Sequence, residues 1–583
     1  MSSSLPIFAI KPLTLAVVSG LLLVGCGSDN NSSSSVTPLP QKTGVATLAT
    51  GELLAEPTAR NFTSAQLATE LEKIEPILFS QMTSQGDKVK CDVRVEYMHY
   101  DTVDVKEGKT DATGAVFIPT GNDPSCQGAR PIVLQAHGTA TSQGYNFAEV
   151  GNYANEAGSR ATLVAALFAG QGYVVISPNY AGYDKSSLSY HPYLNAKQQA
   201  HEMADALKAG RTVLTKAQAD TKVSDNGKLF MTGYSQGGHV VVAAQRYFEQ
   251  LKEPVTAAVP ISGPYAMGAF GDAVFGGNVM LGATFFAPLM ARNYQIQYGD
   301  VYQSPADIFA TPNPAETESL LPSRTLTDRQ IVEQGKLPVS AMFQRAPTGN
   351  AELDALSPAN PAFAYGFDPN FYAIKTSYRA AYLADMKANP DWSIPYMQGM
   401  TNIQPVAALA PQHGLRKALK DNDLRTYVPK SPTIMCGGNQ DPMVFFDVNT
   451  SIMNHLWRNY YTNVPNTQLG MVDIDITNQA TRNKPVYDSK GLPATLDNTL
   501  RTSSQLMQQG FAQNVQKVAT AAGATVYQNA YQQGLASGMT EAQAMAAAQT
   551  AAENAGKYAV ATGYHGLVTP YCMGMAEKLF SQF

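Results

Sequence analysis

The sequence predicts an α/β fold, a mainly parallel sheet covered by helices on both faces. Short apolar runs that end in small or turn residues recur along it: PIVLQAHG, GYVVISPNYAG, KLFMTG, AAVPISGP, PTIMCGGNQD and MVDIDI. Stretches of helical length and spacing separate several of them, for example SRATLVAALFAGQ and HPYLNAKQQAHEMADALKAGRTVLTKA. Repeated strand–helix alternation favours parallel pairing with both sheet faces buried. The length, 583 residues with 44% hydrophobic content, provides for a large core and for insertions into it.

At the N-terminus, Lys11 precedes the apolar run PLTLAVVSGLLLV, which reads as a secretory signal over residues 1–25 and not as a membrane span. Its end, Leu23-Val24-Gly25-Cys26, resembles the bacterial lipobox. That resemblance implies diacylation of Cys26 and anchoring at a membrane surface. Gly27 and Ser28 follow the cysteine, and no aspartate stands directly after it, which favours the outer membrane of a Gram-negative cell. Residues 26–50, including GSDNNSSSSVTPLPQKTG, are poor in apolar side chains and read as a flexible tether. Charged residues make up 15% of the chain and the net charge of −5 comes without a basic cluster, which excludes a nucleic-acid partner.

The remainder, 51–583, is expected to be the catalytic-size α/β domain. Residues 91 to 119 read as an antiparallel pair at a sheet edge, turning near EGKTD. Two regions break the alternation. From about 266 to 425 the chain is rich in Gly, Pro and aromatics and reads as an inserted cap; from about 495 to 560 it is rich in Ala, Gln and Met at helical spacing and reads as a second, helical insertion. Apart from Cys26, four cysteines remain, and export permits two bridges among three possible pairings. Cys91 and Cys126 flank the two-strand region and are paired on that ground; Cys436 and Cys572 are paired because the expected placement of the acid and the histidine brings their neighbourhoods together.

The chemistry centres on Gly233-Tyr234-Ser235-Gln236-Gly237, a G-x-S-x-G between an apolar strand and a helix. Both glycines are required if the turn is tight, because a Cβ at either would strike the strand or the helix. A serine hydroxyl needs a base to take its proton, and an acid to orient that base. When the nucleophile sits on such an elbow, the acid and then the histidine follow it along the chain. That order leaves His413, His455 and His565. His413 falls in the cap and His455 in a helical run, so His565, in TGYHGLVTPY, which reads as a loop with flanking glycines leading into a final helix MGMAEKLF, is the candidate base. Asp441, in the loop after PTIMCGG, is the candidate acid; Asp473 and Asp475 compete from the next strand. A bridge between Cys436 and Cys572 would tie the acid loop to the chain after the histidine. Oxyanion donors are expected from the amide of Gln236 and from the loop after PIVLQA, at Thr139 or Gly138, with His137 bracing that loop.

The series AHGT, SPNYAGYDKSSLSYHPYL, GYSQGG, SGPY, DNDLRTYVPKSPTIMCGGNQDP and YHGLVTPYC, in this order over residues 90 to 583, resembles the secretory lipase family of α/β-hydrolases. The resemblance implies hydrolysis of carboxylic esters through an acyl-enzyme, with Ser235, Asp441 and His565 as triad, a cap over an acyl pocket, and no metal or cofactor. Phe285, Phe286 and Met290 are candidates for lining that pocket, with ordinary cap packing as the alternative. The chain departs from the family in its helical insertion and its anchor.

Overall fold

The computed structural model describes residues 49–393, 406–459, 468–478, 486–489 and 491–583. The predicted signal, Cys26 and nearly all of the tether lie outside these residues.

Four strands open the chain: β1 (Thr58–Phe62), β2 (Asp92–Val103), β3 (Lys109–Thr120) and β4 (Gly128–Ala136). Then come β5 (Val174–Pro178), β6 (Val223–Tyr234) and β7 (Ala257–Ile261). A two-residue pair, β8 (Phe343–Gln344) and β9 (Phe367–Asp368), lies apart from them, and β10 (Thr433–Gly437), β11 (Leu469–Asp473) and β12 (Tyr487–Asp488) complete the main sheet. Its order is β1-β2-β3-β5-β4-β6-β7-β10-β11-β12. Strands β5, β4, β6, β7, β10 and β11 pair in parallel, as the alternation predicts, and antiparallel strands finish both ends.

The β2–β3 hairpin is not the sheet edge, as its sequence was read. Strand β1 pairs outside it, and its TARNF is almost wholly exposed, so no apolar alternation marks it. The disulfide Cys91–Cys126 joins the start of this hairpin to the turn before β4.

Helices fill both faces. The helices α1 (Ser64–Ile74), α2 (Pro76–Ser84) and α3 (Gly158–Leu167) are followed by α4 (Ala196–Thr221) and α5 (Gln236–Leu251). Helix α5 is amphipathic, with Val240, Val241, Val242, Ala243, Ala244 and Phe248 fully buried. Between β7 and β10 the chain leaves the sheet and builds a separate layer with its own hydrophobic cluster, centred on α6 (Met267–Phe275) and α7 (Ala283–Tyr298). Two buried ion-pair sets lock this layer internally: Arg416 with Asp272 and Asp385, each 2.8 Å, and Arg425 with Asp391 at 2.6 Å and Asp423 at 2.7 Å.

The C-terminal region corrects the sequence reading in one important respect. It is a hairpin of two long helices, Ala494–Ala536 and Glu541–Phe580, and His565 lies within the second helix, not in a loop before a short final one. Glycines and Pro570 gave the impression of a loop. A proline removes the N–H that would serve the carbonyl four residues earlier. Here that carbonyl, Gly566 O, accepts from Arg160 Nη2 at 3.0 Å, and the helix runs on.

Candidate active site

Ser235 stands where β6 ends and α5 begins. Its backbone has φ 58° and ψ −125°, a conformation that costs an ordinary residue on the order of 1–3 kcal/mol and is held only by its surroundings. The holding contacts are explicit. Ser235 N–H donates to Ile261 O at 2.9 Å, and its carbonyl accepts from Gly238 N at 2.9 Å. A Cβ on Gly233 would lie 2.6 Å from Ala136 O, and one on Gly237 would overlap the same oxygen. The steric reason for both glycines is therefore the close approach of β4.

Asp441 lies in the loop after β10, and its Oδ2 is 2.6 Å from His565 Nδ1. Its other oxygen, Oδ1, accepts from the backbone N–H of Met443 at 2.9 Å and of Val444 at 3.0 Å. Facing a carboxylate, Nδ1 carries the proton, which leaves Nε2 as the lone-pair nitrogen. Among the described residues Nε2 has no hydrogen-bond partner, and the residue is 8% exposed. Ser235 and Asp441 are equally shielded, at 7% and 4%. A side chain from α3 relates base and elbow: the Arg160 guanidinium, bonded to Gly566 O, also lies 5.3 Å from the ring centre of Tyr234.

The competing carboxylates are taken up elsewhere. Asp473, the last residue of β11, accepts from Asn439 N at 3.1 Å and Asn439 Nδ2 at 2.8 Å. Asp475, just past that strand, accepts from Tyr564 Oη at 2.5 Å and Gln440 Nε2 at 2.7 Å. Both thus brace the loop that carries Asp441, through the residues just before it. Tyr564, Asn439 and Gln440 were not singled out in the sequence; their only signal was adjacency to the candidate base and acid. The Cys436–Cys572 disulfide joins β10 to the helix of His565.

His413, His455 and His137 have surroundings of their own. His413 packs edge-on against Tyr378 and Tyr382 in the cap, and His455 is half-buried on the helix Ile452–Asn459. His137 is stacked between Tyr145 and Tyr180 with its ring nitrogens against Gly138 O and Asn179 O; burial pushes it down to about 4, so it stays neutral.

Of the expected oxyanion residues, Gln236 and Gly138 meet the elbow. Gln236 is the first residue of α5, where N–H groups and the helix dipole favour negative charge. Its side-chain amide donates to His191 Nε2 at 2.6 Å, while His191 Nδ1–H donates to Ala181 O at 3.0 Å. Burial holds His191 at about 3, so it remains a neutral acceptor. Gly138 is in direct contact with the elbow, since a Cβ there would lie 3.2 Å from Ser235 Cβ. Thr139 Oγ1 is 3.0 Å from Tyr193 Oη, and Phe286 of α7 packs on the Tyr193 ring.

The cap also touches the acid loop, through Leu281 N–H donating to Pro442 O at 2.9 Å. Phe285, Phe286 and Met290 pack against the cap's own core. A groove of about 1490 Å³ opens between the cap and the helical hairpin, with Tyr365 and Phe371 on one wall, Tyr527 and Tyr558 on the other, and Gln440 and Tyr564 between. Ser235, Asp441 and His565 are not among its lining residues; Gln440 and Tyr564, the residues just before Asp441 and His565, are.

Comparison with known proteins gives the fold a family of relatives. Residues 160–296 match the prolyl oligopeptidase family. The rice cell wall degrading esterase LipA from Xanthomonas oryzae is structurally similar, at 24% identity and a TM-score of 0.54, over 74% of this chain and 93% of that one. A hydrolase from Legionella pneumophila aligns at 18% identity and a TM-score of 0.49, over 70% and 89%. No curated protein matches the sequence. The sheet, its covering helices and the LipA match make this an α/β-hydrolase fold.

Proposed function

We propose that the protein is a serine carboxylesterase or lipase that forms an acyl-enzyme on Ser235. The observation that carries this reading is the Asp441–His565 pair: Nδ1 is committed to a carboxylate that two backbone amides already orient, and Nε2 is left open. In this reading Nε2 takes the Ser235 proton as Oγ attacks the ester carbonyl and passes it to the departing alcohol. Water then repeats the sequence against the acyl-enzyme. The amide of Gln236, with that of Thr139 or Gly138, receives the oxyanion. The groove beside the acid loop and the histidine helix offers room for an extended ester, and its tyrosine-lined walls favour an apolar or aryl portion.

A second reading, a serine peptidase or amidase using the same residues, is favoured by the prolyl oligopeptidase match over residues 160–296. A panel of p-nitrophenyl esters of increasing chain length, run beside peptide p-nitroanilides with Ser235→Ala as control, separates the two. Ester turnover that disappears in the variant supports the first reading. Anilide cleavage without ester turnover supports the second, and an inert wild type defeats both.

For location, we propose export and lipid anchoring through Cys26 at the outer membrane, on the strength of the lipobox resemblance. Labelled palmitate incorporated by the wild type and not by Cys26→Ala is the expected outcome; equal labelling or none in either refutes the anchor.

A further inference from the structure

Helix Glu541–Phe580 carries the candidate base across a built-in defect. Pro570 sits five residues after His565, inside the helix, and has no N–H for the carbonyl of Gly566. Its ring also crowds that carbonyl, so an unaided helix would kink one residue beyond the histidine. Instead, Arg160 Nη2 donates to Gly566 O at 3.0 Å. Arg160 belongs to the first turn of α3, so the donor is fixed by the body of the domain and not by the helix it repairs. The same guanidinium lies over Tyr234, 5.3 Å from the ring centre, and Tyr234 immediately precedes Ser235.

We propose that Arg160 is a positioning residue for the triad: braced on Tyr234, it donates to Gly566 O in place of the N–H that Pro570 lacks and so keeps straight the stretch of helix that carries His565. The proposal rests on the triad reading given above. Asp441 fixes only the Nδ1 side of the imidazole; it does not fix the course of the helix that carries the ring. A planar guanidinium suits both tasks, since it donates to the carbonyl with one edge while its face meets an aromatic ring. Arg160 itself touches no reacting atom in this account.

The proline supplies a specific test. If Arg160 acts by replacing the missing N–H, then Pro570→Ala restores an N–H for Gly566 O and makes Arg160 dispensable. Kinetic constants on p-nitrophenyl butyrate are measured for wild type, Ser235→Ala, Arg160→Met, Pro570→Ala and the Arg160→Met/Pro570→Ala double variant. Arg160→Met is expected to lower kcat by ~10-fold or more with KM changed less than ~2-fold, the pattern of lost alignment. Pro570→Ala alone stays near wild type, and the double variant recovers to about the level of Pro570→Ala. A wild-type kcat in Arg160→Met, or a double variant as impaired as Arg160→Met, overturns the proposal. If Arg160→Met does not fold, the double variant decides: folded and active supports the proposal, unfolded or inactive overturns it. Failure of the triad reading is a different result, an inert wild type or full activity in Ser235→Ala, and it removes this proposal with it.

Discussion

At the scale of single residues, the three candidate aspartates divide into one that meets His565 and two that brace the loop beside it. Asp441 alone meets His565, whereas Asp475 holds Tyr564 and Gln440 and so acts on the triad through its neighbours. Asp441→Asn keeps the size of the side chain but loses the charge that sets the imidazole tautomer. It is expected to lower kcat by ~10³–10⁴-fold at neutral pH with little change in melting temperature. Asp475→Asn should cost ~10-fold or less in kcat and act mainly on stability. Steady-state kinetics with thermal melts on both variants check this, and an Asp475 variant as inactive as the Asp441 variant would exchange their roles. Much of this chemistry was legible in the sequence, because an elbow is a local device. Its glycines are dictated by sterics within a few residues, and the acid follows an apolar strand. The position of Asp441 in the loop past its strand favours it in the sequence, and it is the one that meets His565; the bracing of that loop by Asp473 and Asp475 was not legible, since only tertiary placement brings Asn439, Gln440 and Tyr564 to them.

At the scale of elements, legibility followed the source of each element's stability. The parallel strands are apolar runs buried on both sides and declare themselves. Strand β1 is held by pairing with β2 while its side chains face solvent, so TARNF carries no pattern. The helix around His565 was misread for the reason that makes it interesting: Gly563, Gly566 and Pro570 argue locally against helix, and the donor that repairs it comes from about 400 residues upstream. The Cys436–Cys572 bridge spans 136 residues between β10 and this helix. Replacing both cysteines with alanine should destabilise the protein by about 2–5 kcal/mol. Activity per folded molecule should fall less than stability, because the Asp441–His565 contact has its own backbone supports. Urea melts and specific activity below the transition measure the two effects, and a stability change within ~0.5 kcal/mol would show the bridge to be dispensable.

At the scale of the whole molecule, pH acts on the body of the domain as well as on the site. Glu202 of α4 is fully buried beneath β2, accepts from Gln198 Nε2 at 3.0 Å, and is pushed by desolvation up to about 8 from the ordinary 4.5. Asp205, one turn on, is bonded by Thr50 and Thr102 at 2.7 Å each, and desolvation raises it to about 7. Between pH 4.5 and 8 the folded chain keeps the Glu202 proton that the unfolded chain has lost. The unfolded state therefore binds fewer protons across that window, and stability falls as pH rises through it. Glu202→Gln removes this term. Its melting temperature should decline less over the window and exceed that of wild type near pH 8.5 by ~2 °C or more. Parallel curves of melting temperature against pH for the two proteins would refute the assignment.

The cap and the sheet domain keep separate hydrophobic clusters with no member in common, and buried arginine–aspartate sets tie the cap within itself. A substitution inside the cap's cluster is therefore felt first by the cap. Selection can vary the cap's wall of the groove while the elbow, the acid loop and the histidine helix retain their geometry. Such a division makes the protein evolvable: one layer can be redrawn at little risk to the geometry held in the other.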